Sequence, residues 1–234
     1  MELITKDKLN AQSLMSELLR TRTKKPAFKP PYADGSVAAE SLFYAVQVEV
    51  ETRGGQFDVD DALNKRLTQI GNWLVDTRSC GLFMCGNTGS GKTTVLDALI
   101  NLYSTHRFTH KGVGVGFQRI EATELYQQYK YHYPEFESTK QCPMLAIDDL
   151  GIEPVYINVF GTDISPISEL LYYRYQRQLL TVITTNLHQD EIRGRYGDRI
   201  ADRFKEMMTT VVFANPSYRG QKSKAQNQKP KDNE

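Results

Sequence analysis

Gly86-Asn87-Thr88-Gly89-Ser90-Gly91-Lys92-Thr93 fits the pattern GxxxxGK[ST] and decides the fold of this 234-residue chain. An apolar run at 82–85 leads into it and a helix-forming stretch at 95–102 leaves it, the strand and helix that such a loop must join. The glycines let the backbone wrap close to phosphate oxygens, and the loop N–H groups and the helix start supply positive potential for them. Lys92 is placed to reach the β and γ phosphates, and the Thr93 hydroxyl to ligate Mg²⁺. The expected cofactors are ATP and Mg²⁺. The expected nucleotide-binding residues are Gly86, Asn87, Thr88, Gly89, Ser90, Gly91, Lys92, Thr93 and Thr94.

Downstream, Pro143-Met144-Leu145-Ala146-Ile147-Asp148-Asp149-Leu150-Gly151 reads as an apolar strand ending in two carboxylates. Beside a phosphate loop, Asp148 is the expected metal ligand and Asp149 the group that orients or deprotonates the attacking water. An Asp in the base position reaches one methylene less far than Glu, which predicts slow hydrolysis; Glu153 is the next candidate. Two acids capping a strand end in solvent is the plainer reading. Residues 179–185 form another buried-strand pattern ending at Asn186, which reads either as a contact to the γ phosphate or as a cap before the helical residues 189–192. In Gly197-Asp198-Arg199-Ile200-Ala201-Asp202-Arg203-Phe204, Arg199 and Arg203 share a helix face with Asp202 beside them, a pattern that also fits surface ion pairs. Arg219, in Asn215-Pro216-Ser217-Tyr218-Arg219, is equally open.

Strand-like runs at 82–85, 113–117, 144–147, 179–184 and 211–213 alternate with helical stretches, which predicts an α/β fold with a central parallel sheet. A helix is expected over 58–76, with Leu63, Leu67, Ile70, Trp73 and Leu74 on one face. Residues 1–32 are basic and 33–61 acidic, with prolines between 24 and 31 and a short amphipathic helix pattern at 9–19. The expected organisation is an N-terminal partner-binding region at 1–55, the ATPase domain at 56–219 and a disordered basic tail at 220–234. Lys+Arg of 29 against Asp+Glu of 28 leaves a net charge of +1, so any nucleic-acid site has to be a local patch. Three cysteines without CxxC spacing, a charged N-terminus and the lack of any membrane-length apolar run predict a reducing, cytoplasmic address.

The order of these elements (P-loop, DDLG, TTNL, GDRIADRF, SYR) resembles the DnaC/IstB family of AAA+ ATPases over about residues 58–220. The resemblance implies a P-loop NTPase of AAA+ type with a short helical N-terminal appendage. It makes Arg203 the arginine finger to a neighbouring subunit, Asn186 the sensor 1 residue and Arg219 the sensor 2 arginine. It further implies a homo-oligomer hydrolysing ATP at subunit interfaces. The process implied is loading of a DnaB-type replicative helicase onto single-stranded DNA, with no membrane partner. A transposition helper acting with a transposase, or a nucleotide-dependent interaction module with negligible turnover, are the alternatives. The family usually has Pro where Asn87 stands. DDLG disfavours a nucleotide kinase, and no NKxD motif supports a GTPase. In Leu125-Tyr126-Gln127-Gln128-Tyr129-Lys130-Tyr131-His132-Tyr133 the aromatic and basic residues suit base stacking and phosphate pairing. They suit equally a helix that turns Leu125, Tyr129 and His132 inward. Lys111, Arg119 and Lys140 are further candidate phosphate contacts.

Overall fold

A computed structural model describes residues 11–21, 29–30, 32–107, 109–110 and 113–218. Lys111, Arg219 and the expected tail at 220–234 lie outside the described residues, as does most of the proline-containing break. In chain order the elements are α1 (Ala11–Thr21), α2 (Gly35–Thr52), α3 (Asp61–Val75), β1 (Gly81–Gly86), α4 (Lys92–His106), β2 (Thr109–His110), β3 (Val113–Gly114), β4 (Gln118–Glu121) and α5 (Ala122–Tyr131). They continue with α6 (Tyr133–Gln141), β5 (Met144–Leu150), β6 (Ile157–Val159), β7 (Thr162–Ile164), α7 (Pro166–Arg177), β8 (Leu180–Thr185), α8 (Gln189–Tyr196), α9 (Asp198–Met207) and β9 (Met208–Phe213).

Five strands form one sheet in the order β4-β5-β8-β1-β9, and every neighbouring pair is parallel. Both faces are covered, which is why β1 and β8 are buried along their whole length. Alternation survives within them: Leu82 and Met84 join a core with α2, α3 and α4, while Phe83 and Cys85 join the opposite core with α5, α7 and α9. The P-loop strand β1 lies inside the sheet, so its loop emerges beside the end of β8 at the carboxyl edge, where parallel sheets open a ligand crevice. None of the three cysteines is in a disulfide among the described residues. Among the described residues no helix is long and apolar enough to cross a membrane.

Two elements differ from the expectations. The run at 113–117 is not the second sheet strand; only Val113–Gly114 is extended, in a short antiparallel pair with β2. The sheet strand is β4, just beyond it. β4 is an edge strand with only Ile120 buried, so its hydropathy is that of a surface segment. The acidic stretch contains an 18-residue helix, α2, whose N-terminus is capped by Asp34 accepting from the Ser36 and Val37 amides at 2.8 and 3.0 Å. These amides and the Ser36 hydroxyl hold the Asp34 carboxyl below the usual range. Ala38, Leu42 and Val46 of α2 pack with the α3 face read from the sequence, Leu63, Leu67, Ile70, Trp73 and Leu74. α1 and α2 are therefore not packed alike, since Leu14 and Met15 of α1 are exposed.

Candidate nucleotide-binding site

The P-loop is closed from below by the segment after β9. Asn87 N–H donates to Phe213 O at 3.0 Å, and its side-chain amide donates to Ala214 O and Asn215 O at 3.1 and 3.3 Å. Tyr218 N–H returns to Gly89 O at 3.0 Å. Asn87 thus ties the loop to residues 213–215, just after β9. Gly86 has φ +133° and its missing Cβ would run into the Phe213 carbonyl, and Gly91 caps α4 at φ +98°, a left-handed conformation that disfavours any side chain.

Lys92 is buried. Its Nζ donates to Gly86 O at 2.8 Å, Asn87 O at 2.7 Å and Asn186 Oδ1 at 2.9 Å. The strand order brings Asn186, at the end of β8, to the P-loop lysine. It does not cap the following helix: His188 holds the N-cap position, and its N–H donates to Glu191 Oε2 at 2.6 Å.

At the foot of α4, Thr93 Oγ1 donates to Asp148 Oδ1 at 3.3 Å. Thr184, unnoticed in the sequence and fully buried, donates to the same oxygen and accepts from Asp149 N–H at 2.9 Å, so one hydroxyl ties the Asp148 carboxylate to the Asp149 backbone. Asp148 is itself buried. Hydroxyl and carboxylate oxygens side by side suit Mg²⁺, which takes one or two protein oxygens and completes its shell with phosphates and waters. No group of three or more His, Cys, Asp or Glu among the described residues forms a metal cage of its own. Asp149 lies where β5 slips register against β8 between Ile147 and Leu150, with φ +52°. That extra residue turns it out of the strand's alternation, a distortion sheets use to re-aim a side chain. Glu153, the reserve base, is fully buried and committed elsewhere: it accepts from Gly151 N–H at 2.8 Å and from the Tyr196 hydroxyl. Burial, then Glu153, pushes the Tyr196 phenol well up.

Arg203 forms an ion pair with neither Asp202 nor Glu206. Asp202 is taken by Arg193 at 3.4 Å and Glu206 by the Tyr175 hydroxyl. The Arg203 guanidinium lies over Tyr172 and Tyr175 at 5.1 and 4.9 Å, with a buried Nε that has no hydrogen-bond partner. Among the other basic candidates, Lys140 is buried between Glu137 and Glu169, the latter at 2.8 Å, and Arg119 is paired with Asp148 and Asp97. Neither is a free phosphate contact. In the tyrosine stretch Leu125 is buried and Tyr129 packs edge-on against Tyr133 and Phe136, but His132 is exposed rather than inward. Lys130 and Tyr131 are exposed together, amine to ring at 5.0 Å.

No protein-family model matches the sequence, and no curated protein matches it. Among solved structures the chain is similar to the crystal structure of DnaI, at 20% identity and a TM-score of 0.54, over 74% of this chain and 92% of that one. It is also similar to the crystal structure of the DnaC helicase loader, at 21% identity and a TM-score of 0.52, over 67% of this chain and 93% of that one. At these identities the likeness shows the fold alone, a central parallel sheet flanked by helices.

Proposed function

We propose that this chain is an ATP-dependent helicase loader of DnaC type. In this reading it binds Mg²⁺ and ATP at the P-loop, hydrolyses ATP slowly between subunits of a homo-oligomer, and acts on single-stranded DNA in replication. The observation that carries the nucleotide site is the Lys92 amine bonded to Asn186 across neighbouring strand ends, with Thr93 and Asp148 adjoining. Asp149 orients the attacking water. The loader role is supported by the likeness to the DnaC helicase loader over 93% of that chain.

α1 is the element we assign to the helicase partner, because its Leu14 and Met15 are 41% and 62% exposed while α2 is committed to the core. Deleting residues 1–21 is the suitable test, since it spares Lys29, whose amine lies 3.4 Å from the Trp73 ring centre. The truncated chain is expected to bind fluorescent ATP as the full chain does and to retain no DnaB-type helicase in a pull-down with ATP. Undiminished helicase capture would remove α1 from the interface. Recovery of a transposase in place of a helicase from cell extract would favour the transposition reading.

For DNA, the exposed Lys130 and Tyr131 pair is the proposed contact. Binding to single strands is expected to be salt-sensitive and to strengthen with ATP, as assembly aligns several copies of the pair along one strand. Replacing both residues with alanine should weaken it, read by anisotropy of a labelled oligonucleotide. Equal affinity for duplex and single strand would speak against stacking.

A further inference from the structure

Asp148 has a third partner besides the two hydroxyls. Arg119 Nη2 donates to its Oδ2 at 2.6 Å, and Arg119 Nε lies 3.5 Å from Asp97 Oδ1 on α4. The chain of alternating charge continues to Arg53, the C-terminal cap of α2, which reaches Asp97 at 2.7 Å and Glu49 at 3.0 Å. The exposures are unequal: the Asp148 side chain is 5% exposed and that of Arg119 is 43%. The carboxylate cannot leave the site, whereas the guanidinium has water on one side and a second anchor in Asp97.

We propose that Arg119 is a resident cation on the metal seat, neutralising Asp148 until Mg²⁺ arrives with the nucleotide and displaces it. The proposal rests on the nucleotide-binding reading of the site. A metal ion sharing Asp148 with a guanidinium meets like-charge repulsion, screened only on the side where Arg119 faces water. Mg²⁺ by itself has nothing to offset that repulsion, but Mg²⁺ carried by a triphosphate brings compensating negative charge. Arg119 thereby selects the metal–nucleotide complex over the free metal. Once displaced it remains tethered through Asp97, so the site returns to its paired state when product leaves.

Binding of Mn²⁺ to the full-length chain without nucleotide, read from the free-ion signal in electron paramagnetic resonance, tests this. Arg119→Gln is expected to bind Mn²⁺ about tenfold more tightly than the unmodified chain, within the range a unit charge about 4 Å away exerts between water and a half-buried site. Arg119→Lys keeps the charge and is expected to stay near the unmodified affinity. Adding Asp148→Asn to Arg119→Gln should abolish the gain. Unchanged or weaker Mn²⁺ binding by Arg119→Gln would overturn the proposal, the weaker result making Arg119 a support for the carboxylate. If Arg119→Gln fails to fold, Arg119→Met carries the same comparison. Fluorescent-ATP titration in EDTA reads the P-loop separately, so failure of the nucleotide reading would show there and not in the Mn²⁺ series.

Discussion

Replacing Arg203 with alanine is expected to lower ATP hydrolysis by about 10³- to 10⁵-fold, the range measured for arginine fingers, while leaving ATP affinity close to that of the unmodified chain. A guanidinium supplied by a neighbouring subunit acts on charge that develops only as the γ phosphate transfers, so ground-state binding loses little. The structural cost is small by comparison. The two ring contacts of Arg203, to Tyr172 and Tyr175, are worth about 0.5–1 kcal/mol each at a partly exposed site, too little to unfold a domain. Phosphate release and a melting curve on the same sample separate the two effects. On the proposed reading Asp149→Asn removes the water-orienting charge and spares Asp148, which is expected to give a reference chain that binds nucleotide without hydrolysing it. Mixing Arg203→Ala with Lys92→Ala subunits should restore part of the activity, because some interfaces then join an intact finger to an intact P-loop. Normal hydrolysis by Arg203→Ala alone, with and without DNA, would return the residue to a packing role on α7.

Lys92→Ala is expected to abolish ATP binding at micromolar concentrations. Charge-assisted hydrogen bonds contribute about 1.5–3 kcal/mol each, so losing those to the β and γ phosphates lowers affinity by roughly 10² to 10⁴-fold. Because the amine also satisfies Gly86 O, Asn87 O and Asn186 Oδ1, the variant should melt at a lower temperature. Fluorescent-ATP titration well below that melting temperature isolates the binding effect. Retained micromolar affinity in a folded variant would remove the P-loop assignment.

What the residues determined by themselves was whatever is written in contiguous chain. The P-loop, the two acids ending β5, Asn186 ending β8 and the buried face of α3 were all legible, since backbone conformation, strand burial and helix periodicity each depend on near neighbours in sequence. Which of these residues meet was decided by tertiary structure alone. Placing β8 between β5 and β1 is what sets Thr184 against Asp148 and Asn186 against the buried Lys92 amine. β4 escaped the sequence reading because an edge strand buries one residue and leaves no apolar pattern, and with it went the true place of Arg119. Arg119, Lys140 and Arg203 look alike in a sequence as unpaired cations. Their partners, Asp148, Glu169 and the tyrosines of α7, lie about 30 residues away along the chain, and only the packing of β4 on β5, α6 on α7 and α7 on α9 brings opposite charge or an aromatic face within reach.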